Sequence, residues 1–135
     1  MADLILASAS PRRAAILKQL GLRFTVAPSS FPEESVTSGS PEQLVTTLAL
    51  NKAKQVAGAH TPETRVGSLV IGADTVVVLD GEILGKPADL NEAVTMLTRL
   101  SGKAHSVFTG LALVSVPESR TRVGYTETRV YFRDL

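Results

Sequence analysis

The 135-residue sequence contains no cysteine and no tryptophan. Without thiols it can form no disulfide, no thiolate metal site and no cysteine nucleophile. That absence is compatible with a cytoplasmic location, which we expect. Its two tyrosines and four phenylalanines are scattered, too few for the base-stacking surface that single-strand binders use. Charge of one sign is also lacking: 14 basic residues face 13 acidic ones, for a net charge of +1. No bulk field exists to recruit a nucleic-acid polymer or a membrane surface, so phosphate recognition has to come from a local arrangement of charge. No apolar run reaches spanning length, and Met1 to Ala7 lacks a basic n-region and runs at once into Pro11-Arg12-Arg13, a poor secretory signal. Walker-type loops and dinucleotide fingerprints are missing as well. His60 and His105 have no metal-ligand spacing and are read as non-catalytic.

What is present is an ordinary globular composition, 44% hydrophobic and 20% charged, of a length that fits one domain over residues 1–135. Leu4 to Ala7 reads as a short buried strand. Ser10 as cap and Pro11 at the first helical position begin a helix to about Leu20, with Ile16, Leu17 and Leu20 at helical spacing and Gly21 as its stop. Phe24 to Ala27 is a second strand. Ser40-Pro41-Glu42-Gln43 opens a second helix that runs to Ala57, with Leu44, Val45, Leu48 and Ala49 on its buried face. Leu69 to Ala73 reads as a central strand with Asp74-Thr75 at its end. Val76 to Leu79, the Asp80-Gly81 turn and Glu82 to Leu84 form a hairpin. A third helix spans Asn91 to Leu100, with Ala93, Met96, Leu97 and Leu100 inward. Strands over Ser106–Val114 and Tyr125–Phe132 follow. Helices alternating with strands, together with hairpins, predict an α/β domain with a mixed sheet flanked by helices.

Four features could carry chemistry. Ser8-Ala9-Ser10-Pro11-Arg12-Arg13 sits at a strand-to-helix junction, where free N–H groups and the helix dipole favour an anion and arginine offers bidentate donors. The same residues also fit a capped helix with two solvated arginines. Asp74, among small residues, suits a metal ligand or general base, and equally a turn aspartate. Lys86 is held between Gly85 and Pro87, which restricts its backbone, or is a plain turn lysine. Glu33, in the loop Pro28 to Pro41, could reach a metal, and Lys52 lies on or beside the inward stripe of the second helix, aimed at a cleft or snorkelling at the helix edge.

In this order the motifs resemble the Maf family of nucleotide pyrophosphatases. The resemblance is carried by Leu6-Ala7-Ser8-Ala9-Ser10-Pro11-Arg12-Arg13, the Glu33 loop, Leu48 to Ala53, Gly72-Ala73-Asp74-Thr75-Val76-Val77, Ile83-Leu84-Gly85-Lys86-Pro87 and Leu97 to Gly110. It implies an inosine-triphosphatase-like α/β fold with an elongated mixed sheet. It also implies hydrolysis of a nucleoside triphosphate between the α- and β-phosphates, with Mg²⁺ or Mn²⁺ required. Ser8, Ser10, Arg12 and Arg13 match the phosphate-binding loop, and Glu33 and Asp74 the acidic, metal-holding positions. Asp74 matches the activator of water, and Lys52 and Lys86 match the catalytic or phosphate-binding lysines. Thr75 after the aspartate resembles the subgroup acting on dTTP, UTP and modified pyrimidine nucleotides. A homodimer is expected on the same ground. Family members continue past Phe132-Arg133-Asp134-Leu135, so the sequence reads as C-terminally short. The alternative function is therefore a non-catalytic nucleotide-binding or cell-division-inhibiting module.

Overall fold

Two serines open the first two helices of the fold. Ser10 caps α1 (Pro11–Gln19) and Ser40 caps α2 (Pro41–Ala57), each accepting a backbone N–H three residues on and each followed by proline at the first position. At Ser40 the cap is reciprocal, because Gln43 returns its side chain to the Ser40 N–H at 3.1 Å. α1 stops where Gly21 turns to φ +76°. There the N–H of Leu22 reaches the carbonyl of Leu17 and that of Gly21 reaches Lys18, which satisfies two otherwise open carbonyls. The computed structural model describes residues 4–31, 39–59, 67–85, 87–116 and 119–135.

The strands are β1 (Leu4–Leu6), β2 (Phe24–Val26), β3 (Leu69–Leu79), β4 (Glu82–Leu84), β5 (Ala104–Ser115) and β6 (Thr121–Tyr131), with α3 (Leu90–Leu100) between β4 and β5. They form one mixed sheet in the order β2-β1-β3-β5-β6, with β4 beside β3. β1 lies parallel to β2 and β3, whereas β4 and β5 run antiparallel to β3 and β6 antiparallel to β5. The expected α/β class and mixed sheet are therefore found. Asp80 and Gly81 both take positive φ, as the predicted two-residue hairpin turn requires.

The core lies where α2 crosses the sheet. Ala49, Ala53 and Val56 of α2 pack on Ile5, Val70, Ala112 and Val114. The helix comes so close that a Cβ on Gly72 would strike the carbonyl oxygen of Ala49, and one on Gly110 that of Val45. Both glycines therefore serve contact between backbones. A second cluster, Leu79, Leu84 and Leu100 with Met96 and Phe132 against it, joins α3 to the far end of the sheet. Arg99 reinforces it through a 2.6 Å ion pair to Glu82, whose carboxyl is held below its usual range by that hydrogen bond first and by the cation's charge second.

Two expectations are corrected here. Asp74 does not stand at a strand end: β3 is continuous over 11 residues and Asp74 is paired with Gly110 in its middle. Leu97 does not point inward but is 49% exposed. α3 covers only the end of the sheet, so its partner is narrower than its apolar stripe. The final strands also start earlier than predicted, at Ala104 and Thr121.

Candidate functional site

Strand β3 has an interrupted edge. On the side away from β5, β1 accompanies it as far as Leu6 opposite Ile71, and β4 joins it only from Val77, opposite Leu84. Among the described residues, Gly72 to Val76 have β5 alone as a ladder partner. The two neighbours on the interrupted side run in opposite directions, and the loop Ala7–Ser10 leaves the carboxyl end of β1 at this gap. In open α/β sheets ligands are received in crevices outside the carboxyl ends of strands. The gap also resolves a geometric difficulty. Asp74 and Thr75 are successive residues of a strand and must project to opposite faces. Where no neighbouring strand intervenes, both faces remain within reach of one ligand.

On the α2 face, the Lys52 ammonium donates to Oδ1 of Asp74 at 2.9 Å. The two side chains are 11% and 10% exposed, so the pair is nearly enclosed yet open at one side. Lys52 is therefore not snorkelling: its head is committed to the carboxylate. Gln55, one turn further along α2, binds Ser29 and Ser30 through their hydroxyls and the Ser30 N–H, at 2.5–3.2 Å. That fixes the chain on α2 beside Lys52 up to Phe31.

On the opposite face, the Arg13 guanidinium donates through Nη1 to Ser8 Oγ at 3.1 Å and through Nη2 to Thr75 Oγ1 at 3.2 Å. Ser8 is buried and also accepts the Ser10 N–H at 3.2 Å. Ser10 Oγ accepts the Arg13 N–H at 3.5 Å as the helix cap. Thr75 Oγ1 lies 3.2 Å from Thr109 Oγ1 on β5. The result is a partly exposed array in which arginine, which can only donate, is held by hydroxyls at the amino end of a helix. Such an array accepts anions.

Of the residues singled out from the sequence, Ser8, Ser10, Arg13, Lys52, Asp74 and Thr75 are brought to this one gap. Arg12 is exposed and makes no side-chain hydrogen bond among the described residues. Glu33 and Lys86 lie outside the described residues. His105 is buried edge-on against Phe132 at 4.8 Å, in the second cluster and away from the gap. Thr109 stands in a stretch that carries the resemblance but was given no role. Only its register opposite Thr75 reveals it, and that pairing spans 34 positions.

Among the described residues no three His, Asp or Glu side chains gather as a ready-made cation site. A divalent ion bound chiefly through phosphate oxygens needs only one or two protein carboxylates, and Asp74 is suited to supply one of them.

Comparison with known proteins places the chain among its relatives. The dTTP/UTP pyrophosphatase of Symbiobacterium thermophilum is 50% identical over 135 residues, covering 100% of this chain and 66% of that protein. The dTTP/UTP pyrophosphatase of Pelotomaculum thermopropionicum is 44% identical, covering 100% and 68%. The chain thus spans about two thirds of the length of these relatives. Among solved structures, a nucleoside-triphosphatase described as a dITP/XTP pyrophosphatase from Mycobacterium abscessus superimposes with a TM-score of 0.54 at 17% identity, over 96% of this chain and 72% of that one. At that identity the likeness concerns the fold. A sequence model described as Maf-like protein matches residues 3–135, which include every residue at the gap in β3, and the chain belongs to the Maf family.

Proposed function

We propose that the gap in β3 is the site of a nucleoside triphosphate pyrophosphatase acting on dTTP and UTP, to which the relatives' names point. The observation that carries the reading is the meeting of the Lys52–Asp74 pair with the Ser8–Arg13–Thr75 array at one break in the sheet. In the reaction a water oxygen forms a bond to the α-phosphorus, and the bond from that phosphorus to the bridging oxygen breaks. Nucleoside monophosphate and pyrophosphate leave.

Asp74 takes the proton of the attacking water. Lys52 holds one carboxylate oxygen, which orients the other toward the nucleophile. A side chain placed in this way contributes about 10²–10⁴ to rate. Arg13, steadied by Ser8 and Thr75, neutralises phosphate charge, and phosphoryl transfer depends mainly on such positioning and neutralisation. A divalent cation, Mg²⁺ or Mn²⁺, would be held by Asp74 and by Glu33 and would shield the triphosphate oxygens. The homodimer expected from the family is part of the same proposal.

The test is pyrophosphate release from a panel of nucleoside triphosphates by the chain and by its Asp74→Asn variant. Turnover of dTTP or UTP that falls at least about 100-fold in the variant, with unchanged circular dichroism, is expected. Equal turnover in both would remove Asp74 from the chemistry. Nucleotide binding with no pyrophosphate from either would favour a non-catalytic binding module.

A further inference from the structure

Thr109 lies in the Leu97 to Gly110 stretch that carries the family resemblance, but no role was read for its side chain, which touches the array. It stands directly opposite Thr75 in the β3–β5 ladder, on the same face, half-buried where Thr75 is exposed. Their hydroxyl oxygens are 3.2 Å apart, and Thr75 Oγ1 is in turn 3.2 Å from Arg13 Nη2. Three groups are thus linked in one row: a guanidinium, an exposed hydroxyl and a half-buried hydroxyl.

Donor counting fixes what the row can offer. Arginine has no lone pair to offer, so Thr75 must accept from it. A hydroxyl has one proton and two lone pairs. If Thr109 donates to Thr75, both Thr75 lone pairs are filled and its proton points out of the row. If Thr75 donates instead, the Thr109 proton is left over. In either case the row ends in one unused hydroxyl proton beside the unused N–H groups of Arg13, and offers donors to whatever approaches. Thr75 is also β-branched, so only a few side-chain rotamers are open to it. The Thr109 hydroxyl selects the one that meets Arg13.

We propose that Thr109 is a positioning residue, which fixes the Arg13 guanidinium for a phosphate-bearing ligand by holding Thr75 in place. The substrate side of this inference rests on the pyrophosphatase reading above. The positioning itself does not.

Thr109→Val keeps the shape and removes the hydroxyl, and Thr109→Ser keeps the hydroxyl. Each is made in the whole chain, alone and with Thr75→Val, and read in two ways. The first is the Arg13 side-chain N–H signal in ¹⁵N NMR, which needs no turnover. A resolved, slowly exchanging signal in the unmodified chain and in Thr109→Ser, lost in Thr109→Val, is expected. The second is steady-state kinetics with UTP. Thr109→Val should raise KM about tenfold with kcat changed less, Thr109→Ser should restore it, and the loss should vanish in the Thr75→Val background. An Arg13 signal unchanged by Thr109→Val would overturn the proposal. So would an equal loss in the Thr75→Val background, or a serine that fails to rescue. If the unmodified chain turns over no nucleotide, the pyrophosphatase reading fails on its own, and the Arg13 signal still decides the role of Thr109.

Discussion

Asp74 is 7% exposed, and among the described residues its carboxylate is bound by the Lys52 ammonium. Removing that lysine leaves a nearly buried charge without its cation, which costs about 3 kcal/mol in comparable pairs. Lys52→Met should therefore lower the urea midpoint of unfolding. Adding Asp74→Asn should recover part of the loss, because the uncompensated charge is then gone. Strictly additive losses would mean that the pair carries no coupling. Single residues of this kind were legible in the sequence, since a carboxylate amid valines and a lysine beside an apolar helix stripe are out of place for their surroundings. The role of Thr109 was not, although it lies in a stretch that carries the resemblance, because threonine is common in strands and its meaning depends on a partner 34 positions away.

Among the elements, α2 positions the site, since it both roofs the core and carries Lys52. Its seat is cut by two glycines. Gly72→Ala and Gly110→Ala would each set a methyl group against helix backbone, which cannot rotate aside as a side chain can. A loss of about 1–3 kcal/mol is expected in each by denaturant titration, with activity falling as Lys52 is lifted from Asp74. Gly124→Ala on β6, where an added Cβ meets nothing within 4 Å, is the control and should stay within about 0.5 kcal/mol. The first two helices could be read from their serine caps and prolines because capping is local chemistry. The continuity of β3 could not, because a polar residue inside an apolar run looks like a strand end until its partner Gly110 is known. Leu97 misled for a related reason: periodicity gives the apolar face of a helix but not the width of what it meets.

At the scale of the whole molecule, the site joins segments from β1, α1, α2, β3 and β5, so a ligand seated there ties distant parts of the chain together. A non-hydrolysable UTP analogue with Mg²⁺ at 100 times its dissociation constant should stabilise the fold by about 2.7 kcal/mol. The gain in thermal midpoint should shrink in Arg13→Gln, and a chain whose midpoint ignores the nucleotide would argue against a site at the gap. The order of motifs sufficed for the fold, and it named Ser8, Ser10, Arg13, Lys52, Asp74 and Thr75, which the structure brings to the gap. The gap itself arises from pairing register, which no local stretch of sequence contains. Asp74 and Thr75 are neighbours in the chain yet serve separate faces, one turned to the Lys52 pair and the other to the arginine and hydroxyl row. A substitution at one can be tried without rebuilding the other. A lineage carrying this break in its sheet can thus alter one face of the gap while inheriting the other unchanged.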